Sequence, residues 1–183
     1  MNINRIVNNP DFLEFLFNDR FILIALVIFL IRIKYATYKN MWLLALVNIF
    51  GTFLHELCHF VIGTITNARP IDFEILPKKA GPGFYTMGSV SFENIKYYNA
   101  VPSAMAPLLL LPFGFWLNQN LNLLMEPNFK NYILYVLMQT IIIENAIPSR
   151  TDFRIAFKYP LGVLLYGILA LCILKLGLIT ISL

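Results

Sequence analysis

Charge is scarce in this sequence. Of its 183 residues 13% are charged and 58% are hydrophobic, and the mean hydropathy is +0.69. That leaves too little polar surface to cover a water-soluble globule of this size, so composition indicates a membrane protein. Cysteine is scarcer still: Cys58 and Cys172 have no short-range partner, which excludes a disulfide framework. The net charge of +4 is scattered, and the absence of a basic run argues against a nucleic-acid partner. The opening residues are polar, acidic and aromatic by turns, unlike a cleaved signal peptide. With no internal repeat and no long linker, residues 1–183 are expected to form a single domain.

What the chain has in quantity is apolar segments. Residues 1–20 mix Asp11, Glu14, Asp19 and Arg20 with Phe and Leu and are expected to lie along a membrane surface. A first span is expected from Phe21 to Ile33 and a second from about Met41 to Ile65. Residues 67–99 then change character. Ile71–Ile75 alternates apolar with acidic, Pro77–Gly83 is rich in turn formers, and Phe84–Phe92 is aromatic and β-branched, which reads as a β-hairpin. A third span, about Ala100–Leu117, is expected to be kinked or broken by Pro102, Pro107 and Pro112. A polar loop reaches Lys130, a fourth span runs from Tyr132 to about Ile147, and a fifth from Leu161 to Leu183. The expected fold is an all-α polytopic membrane protein with about five transmembrane helices and a small β-hairpin after the second.

Alternation of loops puts Arg5, Arg20, Arg69, Lys78, Lys79, Lys96, Arg150, Arg154 and Lys158 on one side, against Arg32, Lys34, Lys39 and Lys130 on the other. The more basic side is expected to be cytoplasmic. His55, His59 and Asp152 then fall near the same cytoplasmic edge. A small chain without added domains is expected in a prokaryotic cell membrane.

Histidine occurs only twice, at His55 and His59, four residues apart with Glu56 directly after the first. On a helix, residues i and i+4 share a face, so two imidazoles can hold one zinc ion while the glutamate reaches water. The alternative is a structural polar cluster in a helix bundle, which must account for three ionisable residues at membrane depth. A catalytic zinc usually takes a third protein ligand and keeps its fourth position for water. The candidates are Asp152, Glu144, Asp72, Glu74 and Glu93. Pro148 ends or opens the fourth helix before Asp152 and allows its carboxylate to turn inward. Glu144 is the other strong candidate, as a ligand or as a partner orienting a ligating imidazole. Cys58 is expected to pack as a small apolar side chain, and Asn48 and Thr52 to serve packing or interhelical hydrogen bonds.

Taken together, His55-Glu56-x-x-His59, a β-rich segment after it, Ala106-Pro107-Leu108, and Asn145-x-x-Pro148 followed by Asp152 resemble the site-2 protease class of intramembrane zinc metalloproteases. The resemblance covers about Asn48 to Asp152. It implies His55, His59 and Asp152 as zinc ligands and Glu56 as catalytic base. The family's aspartate motif is Asn-x-x-Pro-x-x-x-Leu-Asp-Gly; here the aspartate comes one position early and the glycine is absent. The implied activity is hydrolysis of a peptide bond of a membrane-protein substrate within or near the bilayer, with one zinc per chain and an edge strand of the hairpin holding the unwound substrate. A non-proteolytic zinc-binding membrane protein is the alternative. Metal transport fits less well, because the polar residues gather at one edge and do not line a path.

Overall fold

A computed structural model describes residues 9–36, 41–81 and 84–181. The first eight residues of the expected interfacial segment lie outside them. The chain divides into two compact units, residues 1–52 with 109–146 and residues 53–108 with 147–183.

The first unit holds helices α1 (Pro10–Asn18), α2 (Arg20–Ala36) and the beginning of α3 (Met41–Ile65), with α5 (Leu110–Gln119), α6 (Leu121–Leu124) and α7 (Phe129–Asn145). Its helix starts are written in side chains that accept from backbone N–H groups left over at the first turn. Asn9 accepts from Asp11 N at 2.9 Å, Asp19 accepts from Phe21 N at 2.8 Å, and Asn128 accepts from Asn131 N at 2.9 Å. Leu16, Leu121, Tyr132, Tyr135 and Val136 form its buried apolar cluster. Where α5 meets α7, Gly114 permits close approach and its carbonyl accepts from Gln139 Nε2 at 3.0 Å.

The second unit holds the remainder of α3, a β region, α4 (Ala100–Ala104), α8 (Arg150–Phe157) and α9 (Pro160–Ile181). Helix α3 ends in a Schellman motif, in which Asn67 takes the left-handed conformation (φ 58°). Ala68 N bonds Gly63 O at 2.7 Å and Asn67 N bonds Thr64 O at 3.1 Å. That reversal sends the chain back as two antiparallel ladders, β1 (Pro70–Glu74) with β4 (Ser89–Phe92) and β2 (Lys78–Gly81) with β3 (Phe84–Thr86). The Phe73 ring packs edge-on against Phe53 and Phe60 of α3, at centroid distances of 6.1 and 5.8 Å. Gly63 accommodates the Phe92 ring. One face of α3 is thus committed to the β region, and another is left for chemistry.

Helices α4, α8 and α9 pack on one another. Tyr166 Oη donates to Tyr98 O at 2.6 Å and Tyr159 Oη to Ile95 O at 3.2 Å. A Cβ at Gly162 would overlap the Tyr97 carbonyl oxygen, a backbone atom held by both neighbouring contacts. Gly162→Ala is therefore expected to cost about 1–3 kcal/mol through overpacking, despite alanine's better helix propensity. Urea unfolding would show it as a lowered midpoint at unchanged slope.

The described residues do not form five membrane-spanning helices, and the expectation of an all-α polytopic membrane protein is corrected accordingly. Among the described residues no single helix is long and apolar enough to cross a membrane; only Phe129–Asn145 and Arg150–Phe157 meet the length and composition as a pair. A crossing needs about 20 mostly apolar residues in one helix. Helices α2 and α7 have 17 residues each, and Asn48, His55, Glu56 and His59 interrupt the apolar run of α3. The expected third span breaks into α4, a 3-10 turn at Ala106–Leu109 and α5, and the apolar run described in α9 is Pro160–Lys175.

Candidate metal centre

Helix α3 presents His55 and His59 one turn apart, with their Nε2 atoms 3.2 Å from each other. Asp152 of α8 closes the group, its Oδ1 lying 3.4 Å from His59 Nε2 and its Oδ2 3.5 Å from His55 Nε2. All three side chains belong to the second unit. Two atoms each about 2.05 Å from one metal at the tetrahedral angle lie about 3.3 Å apart. The two imidazole nitrogens stand at about the length of one edge of a zinc tetrahedron, each faces a different oxygen of Asp152, and one donor atom from each of the three residues lies within 4.8 Å of the others. The donor set, two imidazoles and a carboxylate, is one that catalytic zinc uses. Among the described residues these three form the group able to hold a metal ion.

His59 and Asp152 are each oriented by their own support. His59 Nδ1 lies 2.7 Å from the carbonyl oxygen of Ser103 on α4, which accepts the Nδ1–H and leaves Nε2 unprotonated toward the centre. Ser103 is itself buried, with its Oγ 3.1 Å from Thr66 Oγ1. Asn99 begins α4, accepting from Lys96 N at 2.7 Å and donating to Asn94 O at 2.9 Å. Asp152 stands third in α8 within a capping box. Ser149 N donates to Asp152 Oδ2 at 2.6 Å, and Asp152 N donates to Ser149 Oγ at 3.2 Å. The carboxylate that faces the histidines is therefore also the one that starts its helix. This box gives Asp152 a fixed aim.

No family model, curated protein or solved structure matches the chain.

Glu56 is buried, with 7% of its surface exposed. Burial raises its carboxyl above the ordinary range, the neighbouring His55 and His59 pull it back, and Asp152 adds to the rise. Such a group holds a proton more readily than a surface glutamate does, as a general base requires. At Asp152 burial also pushes upward, but the contacts with His55, His59 and Ser149 outweigh it and hold the carboxyl well below the usual range.

The other acids are employed elsewhere. Glu144, in the first unit, accepts from Lys34 Nζ at 2.6 Å, and Lys34 also donates to Asn48 Oδ1 at 2.7 Å. Glu74 pairs with Lys78, Glu93 lies 4.0 Å from Arg69, and Asp72 is exposed. Sequence reasoning did not reach the Ser103 carbonyl, which carries no side-chain signal. It also read residues 148–152 as a helix end, although Ser149-x-x-Asp152 is a helix-start pattern.

Two outcomes follow from Asp152. Ser149→Ala removes half of the box and is expected to cost about 1 kcal/mol and to weaken zinc binding roughly tenfold, read by competition with a chromogenic chelator. In the metal-free chain the lowered Asp152 carboxyl contributes stability that is present above the unfolded value of about 3.9 and lost as pH falls below it. The stability difference between wild type and Asp152→Asn should be largest at neutral pH and shrink in acid, as denaturant titrations across pH would measure.

Proposed function

We propose that the protein is a zinc metalloendopeptidase of the site-2 protease kind, hydrolysing a peptide bond of a membrane-protein substrate at the bilayer. The observation that carries this is the convergence of one donor atom each from His55, His59 and Asp152, all within 4.8 Å of one another, beside the buried Glu56. Large apolar side chains exposed to the surroundings, among them Phe21, Phe50, Leu123 and Leu161, support a site of action in an apolar medium.

His55, His59 and Asp152 would hold the zinc, which when bound acts as a Lewis acid and makes water nucleophilic at neutral pH. Glu56 takes the proton released as water adds to the scissile carbonyl and delivers it to the departing amine, so that one water yields one carboxylate and one amine. Ser103 keeps His59 in the tautomer that binds through Nε2, and Ser149 keeps Asp152 turned toward the histidines. The β1–β4 ladder offers backbone edges on which an unwound substrate segment can pair.

The test is zinc content and turnover of the purified full chain on detergent-solubilised membrane-protein substrates. Hydrolysis lost on chelation and restored by zinc supports the reading. Stoichiometric zinc without cleavage of any candidate substrate would favour a zinc-binding protein that does not hydrolyse.

A further inference from the structure

The buried face of α8 carries Asp152; its outer face has no place in the chemistry above. Arg150, Arg154 and Lys158 are all exposed there, at i, i+4 and i+8. Beside them Phe153 and Phe157 are exposed too, with rings stacked at 6.2 Å between centroids and 15° between planes. Three cations thus stand along two aromatic rings on adjacent rows of one helix. Asp152 is the one acid in the chain after Glu144, and it is buried under this face. None of the ion pairs formed among the described residues involves the three cations. The next helix, α9, begins with further exposed apolar side chains, Leu161 and Leu164 being 68% and 61% exposed.

We propose that the outer face of α8 binds the anionic headgroups of a phospholipid surface, with Phe153 and Phe157 inserted at the headgroup boundary. Cations beside exposed aromatic and aliphatic side chains are the pattern of an interfacial helix, and the lack of exposed acid on the face makes its attraction to anionic lipid unopposed. A water-borne acidic protein would complement the cations but would leave the exposed leucines of α9 uncovered, which the lipid boundary does not. The inference shares with the proposed function only a placement at a membrane and does not depend on zinc.

Flotation of the purified full chain with vesicles tests it, using phosphatidylcholine alone against an equimolar mixture with phosphatidylglycerol. The wild type should prefer the anionic vesicles on the order of a hundredfold at low salt, and lose the preference near 1 M salt, where the screening length is about 3 Å. Arg150→Gln/Arg154→Gln/Lys158→Gln should bring the two lipids to near parity. Phe153→Ser/Phe157→Ser should weaken binding to both by a similar factor. Indifference of the wild type to lipid charge, or a preference that survives high salt or the triple substitution, overturns the proposal. The wild-type salt series needs no variant to fold. Lipid preference in a chain that binds no zinc would refute the peptidase reading and leave this one standing; zinc-dependent cleavage without lipid preference would do the reverse.

Discussion

Glu56→Gln is expected to abolish peptide hydrolysis while zinc stays bound. The substitution keeps the size of the side chain and its place on α3 between the two histidines, but an amide cannot take the proton from attacking water. General-base contributions run to about 10²–10⁴-fold in rate, and here the same group must also protonate the leaving amine, so a loss at the upper end is expected. Because the side chain is buried beside His55, His59 and Asp152, removing its charge also removes a repulsion with Asp152 and should not loosen the metal. Zinc measured by atomic emission at wild-type stoichiometry, together with the missing turnover, would assign the base. Turnover that persists in Glu56→Gln would remove Glu56 from that role and require another proton acceptor.

Much of this site could be read in the residues because its chemistry is local. Two imidazoles four apart on one helix is a statement about helical period, and Met41 to Ile65, inferred as one apolar segment, is the helix that forms. The β region after it was legible for the same reason: alternation and turn formers are short-range signals, and β1 and β4 pair as a hairpin with a bulge between Pro70 and Asp72. The membrane crossings were misread because summed hydropathy weighs composition and not the length of the apolar run that each helix carries. The third span does divide, as its prolines implied, at the 3-10 turn that holds Pro107, and Asn48, His55, Glu56 and His59 interrupt the apolar run of α3. Contacts made by the backbone, such as Ser103 O on His59, are fixed by tertiary packing and leave no mark at residue level.

The choice between Asp152 and Glu144 as third ligand illustrates how packing decides what spacing leaves open. Both are acids near the end of the fourth apolar segment, and hydropathy treats them alike. Their partners differ: Asp152 faces two imidazole nitrogens, whereas Glu144 is ion-paired with Lys34, the two side chains being 14% and 12% exposed. Purified Asp152→Ala is therefore expected to lose stoichiometric zinc, since two histidines alone supply half of a tetrahedral site. It should also lose about 1 kcal/mol of stability, since half of the α8 capping box goes with the carboxylate. Glu144→Ala is expected to keep zinc and to lose up to about 3 kcal/mol of stability, because it removes the carboxylate of a part-buried ion pair with Lys34. Metal analysis on the two variants would separate the cases, with denaturant unfolding checking that each still folds. Zinc lost from Glu144→Ala and retained by Asp152→Ala would transfer the third position to Glu144 and remove the geometric basis of the proposed site.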